Sequence, residues 1–207
     1  MPRQGLRAWV QQGASFSGHE RNRLFRQIER DGALVYEDIS LISGADSIQD
    51  GRAFVKLDVD WDGDVDLFLV NANAPRTEFL RNEHAGDRGG ALWIDLEGAA
   101  RPAVNDASRS NRDAVGARVI VRVDAETEIH RERRAGEGFA SQNTDWLHVG
   151  LGASTAVKGI EVWWPSGRKT TVEGPIQANQ RIRLYESSSD SPTRSSLEVV
   201  GPLEPLR

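Results

Sequence analysis

Five aspartates fall within nine residues, Asp58-Val59-Asp60-Trp61-Asp62-Gly63-Asp64-Val65-Asp66. Two carboxylates about 4 Å apart repel by roughly 4 kcal/mol at an effective dielectric of about 20, so a turn this acidic demands a cation. The spacing selects which one. Side chains at loop positions one, three and five converge on one centre, glycine at six permits a sharp turn, and position seven offers a backbone carbonyl. That pattern suits calcium, which takes flexible oxygen coordination at about 2.3–2.6 Å, whereas magnesium wants fewer protein ligands. The expected metal ligands are Asp58, Asp60, Asp62 and Asp66 through their carboxylates and Asp64 through its carbonyl, with Asp66 closing the site. An EF-hand would need a bidentate glutamate at position twelve, where Leu69 stands. The competing reading makes Asp62-Gly63 an ordinary hairpin turn, but it leaves the charge density unexplained.

The elements that must hold this loop read as strands. Phe54 to Leu57 and Leu67 to Val70 flank it with β-forming residues rather than amphipathic helices. Upstream, Ser17-Gly18-His19-Glu20 forms a capping-box pattern followed by Leu24, Phe25 and Ile28 at helical spacing, with Asp31-Gly32 as a stop. Against this, Leu24-Phe25-Arg26-Gln27 repeats as Phe79-Leu80-Arg81-Asn82, 55 residues on. The second copy has no helical spacing, so a strand is expected from Arg23 to Gln27. A repeat of this length suggests propeller blades of four strands, of which residues 21–90 supply only part of a ring. From Leu92 onward short strand-like runs recur at Leu92 to Leu96, Ala117 to Val123, Leu147 to Val149, Ile160 to Trp164 and Arg181 to Tyr185. In the second run Val119, Val121 and Val123 share one face while Arg118 and Arg122 share the other, as in a half-buried strand. The expected architecture is mainly β: an N-terminal segment over 1–20, a partial propeller-type blade with the calcium loop over 21–90, an antiparallel β-sandwich-like domain over 91–187, and a flexible serine-rich tail over 188–207.

Composition narrows the function. A hydrophobic content of 38% suffices for a core. The net charge is −5 and five acids sit in the loop, so the remaining surface is near balance and offers nucleic acid no broad basic field. With no cysteine, thiolate nucleophiles, thiolate metal sites and disulfides are excluded together. No apolar run approaches the roughly 18 residues of a membrane span, and Met1-Pro2-Arg3-Gln4-Gly5 lacks the apolar stretch of a signal peptide. A weak calcium loop fills where calcium is about millimolar, which points to an extracellular or periplasmic setting.

Four further segments form a recognisable series: Ser110-Asn111-Arg112-Asp113-Ala114-Val115-Gly116-Ala117-Arg118-Val119, Gly136-Glu137-Gly138-Phe139-Ala140-Ser141-Gln142-Asn143, Leu147-His148-Val149-Gly150-Leu151-Gly152, and Val162-Trp163-Trp164-Pro165-Ser166-Gly167. In this order they resemble the ASPIC and UnbV family. The acidic loop before them resembles an FG-GAP/VCBS, integrin-like repeat, so residues 20 to 187 together look like cartilage acidic protein-type chains. The resemblance implies calcium binding in the loop and an extracellular interaction role, and it implies no reaction.

Other chemistry is sparse. His19, His84, His130 and His148 lack the close pair spacings of zinc sites, and His148 is best placed to orient a turn. Gly150-Leu151-Gly152 fails the dinucleotide fingerprint, and the Ser15 and Ser17 region fails the nucleophile-elbow spacing. Trp164 shares the core face with Ile160 and Val162, while Trp163 points the other way, toward a neighbouring layer or a ligand; Trp61 is equally open. Asn111, Asp113, Gln142 and Asn143 read first as turn-forming residues and second as a polar rim. These residues leave three functions: a noncatalytic calcium-binding interaction module with a protein or glycan partner, an accessory enzyme of secondary metabolism or glycan processing built around Asp113 and His148, or an assembly subunit that self-associates through incomplete sheets.

Overall fold

The computed structural model describes Gly5, Ala8, Gln12 and residues 14–83, 89–100, 108–187 and 196–203. Its contacts divide the chain into two units, one of Met1–Lys56, Asp66–Arg81 and Gly138–Ser141, the other of Leu57–Val65, Asn82–Glu137 and Gln142–Arg207. Leu57–Val65 of the acidic loop cluster with the second unit, and Asp66 with the first.

In the first unit, β1 (Phe25–Arg30) and β2 (Ala33–Asp38) form a hairpin. Arg30 lies opposite Ala33, so Asp31-Gly32 is a two-residue loop, and both residues have positive φ, 54° and 76°. This is the type I′ geometry whose twist matches that of the strands it joins. Asp31-Gly32 is therefore a hairpin turn, and the capping-box helix gives way to the strand. A short α1 (Ser40–Ser43) precedes the sheet β3 (Gly51–Leu57), β4 (Asp66–Asn71) and β5 (Thr77–Leu80), in that spatial order. The described strands of this unit lie in a two-stranded and a three-stranded sheet rather than in one four-stranded blade sheet.

Polar bonds hold this unit more than apolar burial does, since its buried apolar residues are Ala45 and Leu69 among those described. The fully buried Asp50 carboxylate accepts bonds from the Ser15 and Ser17 hydroxyls (2.5 and 2.6 Å) and the Phe16 amide (2.8 Å). Those bonds, the serine hydroxyls first, hold its pKa far below the ordinary carboxylate range. Phe25, Leu34, Tyr36, Phe54 and Phe79 remain exposed.

The second unit is a β-sandwich. One sheet runs β11 (Lys169–Gln177), β10 (Ala156–Trp163), β7 (Arg118–Arg122), β8 (Glu128–Glu132); the other runs β13 (Leu197–Pro202), β12 (Gln180–Tyr185), β6 (Gly90–Glu97), β9 (Leu147–Gly152). Their inner faces interdigitate in one core that includes Leu92, Ile94, Val119, Val121, Val149, Ile160, Val162, Ile182 and Leu184. The alternation expected for β7 holds, β12 alternates likewise with Ile182 and Leu184 inward, and Trp164 belongs to this core with its indole N–H donating to the Thr170 hydroxyl at 2.8 Å.

Two expectations are corrected. The second sheet is mixed, because β12 pairs with β6 in parallel, Ile182 opposite Ile94. The C-terminal stretch is not wholly a flexible tail: β13 adds to β12, pairing Leu197 with Leu184 and Val199 with Ile182, and the exposed backbone edge of β12 supplies the hydrogen bonds that the stretch could not make alone. Residues 188–195 and His84 lie outside the described set.

Ile182 is fully buried at the centre of the core. Ile182→Ala should cost about 2–5 kcal/mol in urea denaturation; a midpoint unchanged from that of the parent chain would contradict this packing.

Candidate metal centre

Between β3 and β4 the nine-residue loop coils on itself through its own carboxylates. Asp58 accepts the Asp62 amide at 3.1 Å on one oxygen and the Gly63 amide at 2.9 Å on the other, and Asp62 accepts the Asp64 amide at 2.9 Å. Gly63 sits at φ 98°, a left-handed conformation that disfavours any side chain. Trp61 shares the left-handed region at φ 58°. The turn delivers Asp58, Asp60 and Asp66 to one point: each offers an oxygen, these oxygens lie within 4.8 Å of one another, and all three residues are buried. Asp62 and Asp64 are half-buried and their side chains stand outside that group.

Such a set fits a hard cation held by oxygens. Burial pushes the Asp58 pKa up to about 6 in the ion-free chain; the Gly63 amide acts against the rise and the Asp62 charge adds to it. A cation would reverse that balance by favouring the ionised form.

What holds the loop is the sandwich. The ring of Trp61 meets those of Trp93 and Trp146 edge-on at 6.2 and 5.6 Å, and the Arg181 guanidinium lies 4.5 Å from its centre. Trp93 in turn packs against His148 at 4.9 Å. With Ala91, Leu203 and Val65, these residues make a second, smaller apolar cluster on the outer side of β6. His148 Nε2 lies 3.0 Å from the Gly63 carbonyl, which only accepts, so Nε2 carries the proton and donates it. The turn that His148 orients is therefore the acidic loop.

The remaining motif residues have internal tasks. Asn111 closes a turn by accepting the Val115 amide (2.8 Å) and donating to the Val115 carbonyl (3.0 Å). Asp113 pairs with Arg112 at 2.8 Å on the surface. Gln142 accepts the Gly136 amide, and Asn143 donates to Glu137 at 2.6 Å. Glu186, which sequence reasoning passed over, ties the motifs together. Its buried carboxylate accepts the Ala99 amide (2.8 Å), the Ser110 amide and hydroxyl (2.9 and 3.0 Å) and the Ser166 hydroxyl. Burial alone would raise its pKa, but these bonds outweigh it and hold the group below its ordinary value.

With that geometry, residues 107–191 are a match to a family model. That model is the ASPIC and UnbV family. It spans the segments that Asn111, Glu186 and His148 organise, so this part of the chain is similar to that family. The matched span begins after the acidic loop, and the FG-GAP/VCBS likeness of the earlier residues rests on the loop pattern. No curated protein matches the chain.

Two outcomes follow from these environments. Glu186→Ala strands buried donors and should destabilise the sandwich by roughly 2–3 kcal/mol in denaturant melts, whereas Asp113→Ala, at the surface, should leave the midpoint unchanged. Because the Asp58 pKa is raised on folding, the ion-free chain binds an extra proton between about pH 4 and 6 and loses that stabilisation as pH rises through 6. Calorimetric melts in chelator should therefore show a higher Tm at pH 5 than at pH 7, a difference that Asp58→Asn reduces.

Proposed function

We propose that the protein is a noncatalytic, calcium-binding β module of the extracellular type, in which the ion completes the acidic loop that rests on the ASPIC/UnbV sandwich. The observation that carries this reading is the convergence of the buried Asp58, Asp60 and Asp66 oxygens within 4.8 Å. Three buried carboxylates at that distance are a net repulsion of several kcal/mol without a counter-charge, and the loop's oxygens suit calcium. Asp62 and the Asp64 carbonyl complete the ligand set as the loop closes on the ion. An integrin-like repeat before an ASPIC/UnbV module, and a loop suited to millimolar calcium, support an extracellular or periplasmic setting. The module's task there is contact with a protein or glycan partner. Among the described residues no helix is long and apolar enough to cross a membrane.

Self-association is a second reading, and one observation favours it. Phe25, Leu34, Tyr36, Phe54 and Phe79 are all exposed on the strands of the first unit, where a further chain could cover them. Light scattering behind size exclusion checks it: a dimer or larger species supports the reading, and a monomer across micromolar concentrations contradicts it.

Calcium should raise the melting temperature by several degrees over chelator, and millimolar magnesium should do much less. Asp60→Asn and Asp66→Asn should each abolish the shift. A melt indifferent to calcium would overturn the proposal.

A further inference from the structure

On the outer face of the sheet β11-β10-β7-β8, remote in sequence from the acidic loop, the strands align a row of polar and aromatic side chains. Lys169 lies opposite Trp163, Trp163 opposite Arg118, and Arg118 opposite Glu132. Cross-strand neighbours of this kind have Cβ atoms about 4.5–5.5 Å apart on one face. The row borders an open groove of about 610 Å³ lined by Arg118, His130, Arg131, Arg134, Glu161 and Trp163 with their strand neighbours. Trp163 is 48% exposed, in contrast to the buried Trp164 beside it. Exposing half of so large an apolar ring forgoes burial that the adjacent tryptophan obtains.

The ring is also fixed in place. Its indole N–H donates to Glu161, and the Lys169 ammonium lies 5.0 Å from its centre. Lys169 lies over the ring and is not among the residues that line the groove. The charges around the ring are unequal. Both carboxylates of the groove are already engaged, Glu161 with Lys169 at 2.6 Å and Glu132 with Arg134 at 2.9 Å. Arg118 has no ion pair among the described residues, and Arg131 donates to the carbonyls of His148 and His130 (2.8 and 2.9 Å) without a carboxylate partner. A chain of net charge −5 thus presents, beside a flat aromatic ring, the Arg118 guanidinium with no acid to balance it; the Arg131 side chain, opposite Val119, lies on the inner side of β8 and bonds the His148 carbonyl of the other sheet.

We propose that this groove binds an acidic saccharide: Trp163 stacks on the apolar C–H face of a sugar ring, and Arg118 takes the carboxylate of a uronate through its planar, bidentate fork. A rigid aromatic ring loses little conformational entropy on contact, and an arginine matches carboxylate geometry better than a lysine would. An acidic peptide would use the arginine and leave the ring idle, so the pair together selects the sugar. This site is independent of the metal loop and stands or falls without it.

The test is titration calorimetry of the full chain in calcium-containing buffer with hyaluronan hexasaccharide, maltohexaose and polyglutamate as probes. The uronate hexasaccharide should bind with Kd at or below about 1 mM, more weakly as salt rises, while maltohexaose and polyglutamate should bind at least about tenfold more weakly. Trp163→Ala and Arg118→Gln should each weaken the uronate by about tenfold, and Arg122→Gln, two rows along and paired with Glu173, should not. Melting curves of the variants confirm that each remains folded. Failure of the parent chain to bind the uronate would overturn the site, as would equal binding by both groove variants or equal affinity for polyglutamate.

Discussion

Three carboxylates that are buried together and share a point in space constrain everything around them. Asp58, Asp60 and Asp66 bring oxygens within 4.8 Å, and mutual repulsion opposes that arrangement unless charge is supplied. The chain prepares the arrangement with backbone amides: Gly63 and Asp62 donate to Asp58, fixing its carboxylate before any ion arrives. A preformed turn lowers the ordering cost of binding. The Asp58 pKa is raised chiefly by the same burial, with the Asp62 charge adding to it.

The loop would be a floppy connection without its seat. Trp61 enters an aromatic cluster with Trp93 and Trp146 beneath Arg181, and His148 holds the Gly63 carbonyl. The sandwich therefore does two things with one sheet. Its inner face is the main core, and its outer face, at β6 and β9, is the platform for an acidic loop that precedes it in sequence. On the other sheet the outer face is polar and presents Trp163 and Arg118, so the sandwich carries distinct surfaces on opposite sides.

Much of this was legible in the chain. Charge density and glycine position announced the loop, and short strand-like runs announced β6, β7, β9, β10 and β12. The strands that escaped notice, β8, β11 and β13, all lie at sheet edges. An edge strand needs no continuous apolar face: β8 reads Glu-Ile-His-Arg-Glu with one aliphatic residue, and β11 tolerates Gly174-Pro175 because one side of an edge needs no partner. Asp50 and Glu186 escaped for a different reason. A single carboxylate looks alike whether it is solvated or gathers four donors, and only the fold brings Ser110 and Ser166 to Glu186. His148 was readable as a turn-orienting residue, but its target lies 85 residues away, beyond any local pattern.

The central claim is that the acidic loop is an ion cage. Its most direct test is an anomalous difference map from crystals grown with calcium or soaked in terbium. The account predicts one strong peak about 2.3–2.6 Å from oxygens of Asp58, Asp60 and Asp66. A map with no peak among these side chains at saturating ion, or with the carboxylates turned out into solvent, would contradict it.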